Sequence, residues 1–447
     1  MLKLTASESS ADANDEGKLA ALAVRLLLTF EPSREAAVIK ESELVEGYMR
    51  WAHSIPAHRE NLRTSAPSEP ILAEAAARVM AKFDREIITL LSDYLRNGLI
   101  EKGQRGELVW RTIVTKAHDL ALHCDLFLSL PAFNRNFSVP IHLFKFLKAL
   151  VGEEHMKAIL ASHAQNVPDS LTFKDAFEHS YIHFTHFAKA GDNSVVSDEA
   201  AYIGMLRGIF WQCFDQQTDI DGILALLLGT LGTKLGRWVM SAIFWQIKNK
   251  KKKQPIHVDA EKLKFFSAPP KDEPEKGASR PYIVITMQLG VQKNPSKKTA
   301  PSSQLPGASV SQRGTTPSAI HLPPPIVRNQ PPRTNKRTRP MHPRYEINII
   351  GCSPTVYNVI KEEERESYNQ LLASHDLLSE HPRQFDEAKD AVLRSKPFWK
   401  EGCQSFGWVQ PAEEPSVTGE VPFPTPEAEG VFLGEYQEDE GDHEEEG

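Results

Sequence analysis

Three residues of different chemistry, Asp221, Gln246 and Lys248, lie at the ends of two apolar stretches of the sequence. Asp221 begins the first stretch, and the second, Ser-Ala-Ile-Phe-Trp-Gln-Ile-Lys, carries the other two residues near its end. Both stretches are predicted to be β-strands. Because side chains alternate along a strand, Gln246 and Lys248 should share one face. On neighbouring strands a carboxylate, an amide and an ammonium group can converge on one point, so these residues are the main candidates for a functional site.

An aspartate on one strand followed by Gln-Ile-Lys on the next resembles the core of the PD-(D/E)xK, or restriction-endonuclease-like, superfamily. The resemblance implies that Asp221 and Gln246 hold a Mg²⁺ or Mn²⁺ ion and that Lys248 is the catalytic lysine beside a phosphate. Mg²⁺ prefers hard oxygen ligands, and a bound metal ion polarises a phosphoryl oxygen and activates water. The expected activity is metal-dependent cleavage of nucleic acid.

The sequence departs from that family pattern in three ways. Ile220 stands where a proline usually precedes the aspartate, and Gln246 replaces the usual glutamate, which weakens metal binding by one charge. Asp219 is a second candidate for the metal aspartate. Three interpretations therefore stay open: an active metal-dependent nuclease, a catalytically degenerate nuclease-like protein that binds nucleic acid, and a non-catalytic interaction protein in which the strand ends in an exposed lysine.

The lysines that follow the second strand are candidates for nucleic-acid binding. Lys250, Lys251, Lys252 and Lys253 come directly after it, in a chain whose net charge is −7. They could contact phosphates, and they would place positive potential beside the candidate site. They could equally be a nuclear-import signal, together with the basic residues between 333 and 339, or an ordinary solvated strand end.

Three histidines and four cysteines were considered as metal ligands. His179, His183 and His186 have spacings of four and three, which would align them along a helix predicted from residue 170 to 187 and could suit zinc. Ordinary helix histidines are the alternative, since the sequence contains no HExxH. The cysteines show no metal-ligand spacing, so reduced thiols are expected. They are Cys124, Cys213, Cys352 and Cys403.

A second resemblance covers most of the chain. Several segments resemble a large family of uncharacterised proteins from mushroom-forming (basidiomycete) fungi. These segments are 184–192, the strand after Asp221, 245–249, 351–357 and 395–399. The resemblance implies a fungal, intracellular domain derived from a nuclease.

The pattern along the chain predicts an α+β fold, with a helical N-terminal region and a small mixed β-sheet flanked by helices. Single helices are expected at 71–95 and 198–214 because apolar residues recur at helical spacing. Strands at 281–290 and 345–351 flank a Pro-, Ser- and Lys-rich insert and should share a sheet. The predicted regions are 1–16 disordered, 17–168 helical, 169–291 and 342–409 nuclease-like core, 292–341 disordered insert, and 410–447 disordered acidic tail.

The composition gives expectations about the cell compartment and partners. The N-terminal residues turn polar and acidic at once, unlike a signal peptide. The longest apolar run, around residues 223–228, is too short to cross a bilayer. We therefore expect a nuclear or cytoplasmic protein with nucleic acid as a partner and no membrane association. The sequence does not predict an oligomeric state.

Overall fold

The computed structural model describes a chain of helices followed by a mixed sheet. The described residues are 14–32, 34–54, 63–83, 85–101, 105–122, 136–214, 217, 219–249, 258–273, 277–290, 320–324 and 341–372. The helices in this part of the chain are α1 (Asp15–Leu26), α2 (Glu35–Gly47), α3 (Pro70–Met80), α4 (Ile87–Arg96), α5 (Arg105–Leu122), α6 (Leu143–Val151), α7 (Glu153–Leu160), α8 (Phe173–Phe177), α9 (Asp198–Arg207) and α10 (Arg365–Leu372). The strands are β1 (Trp51–Ser54), β2 (Arg63–Ser65), β3 (Ile141–His142), β4 (Ser180–Ile182), β5 (His186–Lys189), β6 (Ile209–Gln212), β7 (Gly222–Leu228), β8 (Met240–Lys248), β9 (Tyr282–Gln288), β10 (Ile320–His321) and β11 (Arg344–Ile350).

The main sheet is mixed, which confirms the predicted α+β class. Its strands run in the order β10, β11, β9, β8, β7, and the far side of β7 is shared by β6 and β4. Strands β8, β9 and β11 are parallel, whereas β7 is antiparallel to both β6 and β8. As a result, β6, β8, β9 and β11 all end at the same edge of the sheet. Strands β1 and β2 form a separate antiparallel pair.

The central strand β8 is covered on both faces. Every residue from Met240 to Ile247 is buried, as expected for a strand with an unbroken apolar run. Ile243, Trp245 and Ile247 share one face of β8 and pack with the N-terminal helices in one hydrophobic core. Ala242 and Phe244 face the opposite way and pack with α9. The helical region and the sheet therefore share a core, and the described residues lie within one compact unit.

A close contact between α5 and β7 fixes where β7 begins. Trp110 of α5 is fully buried, and its ring lies edge-on to those of Phe187 and Phe210. A Cβ atom at Gly222 would lie 2.4 Å from the Trp110 ring, too close for any side chain. The glycine next to Asp221 is therefore required for the helix to reach the sheet.

A buried ion pair joins the N-terminal helices to the start of β5. Arg25 of α1 is fully buried and donates to both carboxylate oxygens of Asp119 in α5, at 2.7 and 2.8 Å. Its Nε also donates to the Thr185 carbonyl at 3.0 Å. Burial alone would raise the pKa of Asp119, but the Arg25 guanidinium holds it well below its usual range.

Three helix predictions need correction. The predicted helix 71–95 is interrupted between α3 and α4. The predicted helix 198–214 ends at Arg207, because Gly208 adopts a left-handed conformation with φ of 63° and β6 follows at once. The predicted helix 170–187 was wrong beyond residue 177, where two strands replace it. In each case apolar residues at helical spacing are buried by tertiary contacts that the spacing does not specify.

The prediction of a disordered insert between β9 and β11 needs correction in one place. The two flanking strands pair in parallel, with Ile347 opposite Ile285, as predicted. Within the insert itself, β10 pairs with β11 at the edge of the sheet, so residues 320–321 are not disordered. Residues 14–16, predicted to be disordered, form the N-cap and the first residues of α1. Insert residues 292–319 and 325–340, the segment 395–399, and the predicted terminal regions 1–13 and 410–447 lie outside the described residues. Among the described helices, none combines the length and the apolar character needed to cross a membrane.

Candidate functional site

Asp221 is held by backbone hydrogen bonds on both sides. It precedes β7 directly, and its N–H donates to the Trp245 carbonyl of β8 at 2.8 Å. Its carbonyl accepts from the Cys213 N–H, just after β6, at 3.0 Å. Gly222 pairs with Trp245 at the end of the antiparallel ladder, and the Asp221 carboxylate accepts from the Ile247 N–H, so Asp221 lies beside the end of β8. The register of β7 on β8 therefore brings the acid to the Gln-Ile-Lys segment.

The Asp221 carboxylate already has a backbone partner. Its Oδ2 accepts from the Ile247 N–H at 2.5 Å. Burial raises the pKa of Asp221, and the Ile247 N–H and the Lys248 ammonium offset only part of that rise. The carboxylate is thus a half-buried acid whose negative charge is less favourable than in water.

Gln246 connects the acid strand to the lysine. Its side chain is 7 % exposed. With the amide nitrogen donating to the Asp219 carbonyl, the amide oxygen accepts from Lys248 Nζ at 2.7 Å. The opposite orientation would set oxygen against oxygen and nitrogen against nitrogen, so only this one satisfies both groups.

The three residues predicted from the sequence therefore lie together at the end of β8. Lys248 is half-buried. Its Nζ donates to the Gln246 oxygen, and its positive charge acts to lower the pKa of Asp221. Asp219, the competing aspartate, is exposed and has a left-handed φ of 68°. It contributes its backbone carbonyl to Gln246. The structure thus assigns Asp221, and not Asp219, as the acid of the cluster.

The donors present do not fit a Mg²⁺ or Mn²⁺ ion as they stand. The cluster has one carboxylate, with one oxygen bonded to Ile247, and one amide oxygen bonded to an ammonium group. Within the described residues, no group of three or more His, Cys, Asp or Glu side chains could hold a metal ion. Mg²⁺ is usually held by carboxylates, phosphates and water in an octahedron. The expected metal ion stays a prediction.

A row of polar side chains continues from the cluster across the sheet. Gln246 pairs with Thr286 of β9, which pairs with Asn348 of β11, so all three share one face. Thr286 Oγ1 donates to Asn348 Oδ1 at 2.5 Å. Sequence reasoning missed this row. The signal was present as polar residues at alternate positions of the two flanking strands.

Two helices border the candidate site. Asn249, next to Lys248, donates to the carbonyl of Leu372 at the end of α10, at 3.0 Å. Its Cβ lies 3.0 Å from the position of a Cβ on Gly106, in the first turn of α5. The four lysines predicted to bind nucleic acid, Lys250, Lys251, Lys252 and Lys253, lie outside the described residues. The described part of the site is thus bordered by the start of one helix and the end of another.

The nearby thiol is not a nucleophile. Burial raises the pKa of Cys213 to about 12, and the negative charges of Asp221 and Glu107 add to the rise. Cys352 is likewise a free thiol, and burial raises its pKa to about 12. Both groups are protonated at neutral pH, and the thiolate is the reactive form. Cys124 and Cys403 lie outside the described residues.

The three histidines do not form a zinc site. His179 is exposed, whereas the other two are used in separate contacts. His183 Nδ1 bonds the Met205 carbonyl at 2.7 Å, and His186 Nε2 bonds Ser68 Oγ at 2.8 Å. Burial lowers the pKa of both, and with Arg25 nearby that of His186 falls to about 3. These side chains are neutral parts of the core.

Comparison with known proteins gives one match. Residues 12–127 match the family model described as a domain of unknown function (DUF8736). The match covers roughly a quarter of the chain and includes helices α1 to α5, but not the β7–β8 cluster. No curated protein matches the chain, and no solved structure does either. The chain therefore contains a segment similar to an uncharacterised family, and the candidate site lies outside that segment.

Proposed function

We propose that this chain is a nuclease-like protein that binds nucleic acid at the end of β8 and does not cleave it. The observation that carries the proposal is the assembly of Asp221, Gln246 and Lys248 on two adjacent antiparallel strands. The relationship to the PD-(D/E)xK superfamily, the fungal origin and a nuclear or cytoplasmic location are parts of the same proposal.

The order of elements supports the nuclease-like core. A helix, α9, is followed by β6, by β7 with Asp221 before it, by β8 with Gln-Ile-Lys, and by the parallel strand β9. Apart from β6, this is the order of elements on which the resemblance to the PD-(D/E)xK superfamily was based. Ligands in open sheets bind outside the carboxyl ends of the strands, and Lys248 lies at the edge where four strands end.

The charges of the site support binding to phosphate. The Lys248 ammonium has three N–H donors, and Gln246 accepts one of them. Four further lysines follow in the sequence at 250–253. A polynucleotide supplies regularly spaced negative oxygens, and lysines on phosphates provide sequence-independent affinity.

Metal-dependent hydrolysis is a second candidate function, and the convergence of Asp221, Gln246 and Lys248 at the end of β8 favours it. The presence of a single carboxylate in the cluster argues against it, because phosphodiester cleavage by this class of site needs a firmly held divalent ion. A non-catalytic protein that binds other proteins is the remaining alternative.

The binding proposal is tested with a fluorescent DNA duplex of about 20 base pairs, in EDTA, over a series of salt concentrations. Lys248→Ala should weaken binding and lower the slope of log Kd against log salt by about one. Lys234→Ala is the matched control, because Lys234 is an exposed lysine in the loop at the other end of the β7–β8 hairpin. Equal slopes for wild type and Lys248→Ala, or no binding at low salt, would contradict the proposal.

Cleavage is tested separately with plasmid DNA and millimolar Mg²⁺ or Mn²⁺. The proposal expects intact plasmid. Cleavage that disappears in both Asp221→Asn and Lys248→Ala would establish the second candidate instead. Cleavage that persists in both variants would come from elsewhere.

A further inference from the structure

We propose that the Lys248 ammonium takes the place of a divalent metal ion beside Gln246 and Asp221, so that this site holds a polynucleotide phosphate directly on lysine, without a metal. The inference rests on the proposed function and goes further, because it states how the ligand is held. It follows from the contacts of three side chains and from their charges.

The first observation is the contact between Gln246 and Lys248. The amide oxygen that a metal ion would need as its second ligand accepts from Lys248 Nζ at 2.7 Å. In the same orientation the amide nitrogen donates to the Asp219 carbonyl, so turning the amide over would break both hydrogen bonds. A metal ion would therefore have to displace an ammonium group from its hydrogen-bond partner.

The second observation is the charge balance. Asp221 brings one negative charge and Lys248 one positive charge, and Gln246 is neutral. The next side chains along the sheet, Thr286 and Asn348, are neutral and bonded to each other. A divalent cation would enter a site that is already balanced, whereas the lysine keeps N–H donors that suit an anionic oxygen.

The third observation concerns the carboxylate. Oδ2 of Asp221 accepts from the Ile247 N–H at 2.5 Å, so it serves the end of the β7–β8 ladder. This leaves one carboxylate oxygen for a ligand. A single oxygen on a half-buried acid is a weak anchor for an ion that usually has several oxygen ligands.

The inference is tested by titrating the full chain with Mn²⁺ and measuring free Mn²⁺ by electron paramagnetic resonance. Wild type should show no saturable binding at millimolar Mn²⁺. Gln246→Glu supplies the missing charge beside Asp221 and should bind Mn²⁺ at least about tenfold more tightly than wild type. Gln288→Glu is the matched control. Gln288 is also buried and pairs with Lys248, but it lies one strand further from Asp221, so this variant should bind Mn²⁺ no better than wild type.

Three outcomes would overturn the inference. One is saturable binding of Mn²⁺ to wild type that is lost in Asp221→Asn. Another is equal, weak binding by wild type and a folded Gln246→Glu variant. If Gln246→Glu fails to fold, the wild-type titration is combined with a second measurement. In that measurement, replacing EDTA by Mg²⁺ at constant ionic strength should not strengthen DNA binding by more than about twofold, because Mg²⁺ only competes with lysine for the phosphates, and a larger gain in affinity would count against the inference.

These results are separable from failure of the proposed function. Metal binding by wild type with unchanged DNA binding in EDTA would remove only the inference. If the protein bound neither DNA nor a metal ion, the proposed function would be refuted, and the ligand of the site would be unknown.

Discussion

Two of the clusters that join a cation to acceptor oxygens in the described part of the chain differ in burial, one in the helical region and one at the end of the sheet. Arg25 is fully buried and its guanidinium is fixed by both oxygens of Asp119 and by the Thr185 carbonyl. Lys248 is half-buried, and among the described residues its ammonium group has one short contact, to Gln246. The acids differ accordingly, since the pKa of Asp119 is lowered and that of Asp221 is raised.

The difference shows how the same types of group can serve stability or binding. A buried cation must keep its internal partners, because an unpaired charge in the core is very unfavourable. A half-buried ammonium with free donors can exchange water for an external anion. We therefore interpret the Arg25–Asp119 pair as a structural element and the Lys248 cluster as a binding site.

The largest effect is expected for Asp119→Asn. Removing the carboxylate leaves the Arg25 charge buried without compensation, so the free energy of unfolding should fall by about 3–5 kcal/mol. Urea denaturation followed by circular dichroism measures it. Asp93→Asn is the control, because Asp93 pairs with the half-exposed Arg85 on the surface, and it should cost no more than about 1 kcal/mol. Similar losses for both variants would show that burial does not distinguish the pairs.

An intermediate effect is expected from pH, through His186 beside Arg25. Its pKa falls from 6.5 to about 3 on folding, so between these values the unfolded chain binds a proton that the folded chain does not. The contribution of His186 is fully present above pH 6.5 and is lost as pH falls towards 3. At about pH 4.5 the loss should be about 2–3 kcal/mol.

The check for His186 is a comparison with His186→Gln, which cannot titrate but can still bond Ser68. The stability difference between wild type and variant should shrink by that amount between about pH 7.5 and 4.5. A difference that stays constant over this range would show that His186 is not buried as a neutral group.

The smallest effect on stability is expected for Asp221→Asn. The amide oxygen can still accept from the Ile247 N–H, and burial already disfavours the negative charge. The free energy of unfolding should therefore change by less than about 1 kcal/mol, towards greater stability. A loss as large as that for Asp119→Asn would mean that the acid of the sheet cluster is structural too, and the contrast between the clusters would fail.

Much of the sheet was accessible from the sequence, because it depends on alternation along single strands. The run ending in Gln-Ile-Lys predicts a strand, and a period of two places Gln246 and Lys248 on one face. The pairing of the strands that flank the insert was also predicted. Strand β6 was missed because Ile209 to Gln212 continues the apolar spacing of α9, and only the left-handed Gly208 separates them.

The histidines illustrate the opposite case. Spacings of four and three predict a helix face, but Ile182 pairs with Leu226 and Phe187 with Phe210 in the sheet. Burial of aromatic side chains against Trp110 outweighs the local helical pattern. Pattern alone cannot decide between the two, because both solutions bury the same apolar residues.

The sequence by itself determined which residues are chemically suited to a site and which face of β8 carries them, since alternation is a property of the strand alone. Tertiary structure decided which partners each group has. The register of β7 on β8, with Gly222 against Trp110, places Asp221 beside the Gln-Ile-Lys segment. In the same arrangement the Gln246 amide nitrogen donates to the Asp219 carbonyl, and the amide oxygen accepts from Lys248 Nζ. Partners are decided there because hydrogen bonds and charge balance depend on atoms that only the folded chain brings within 3 Å.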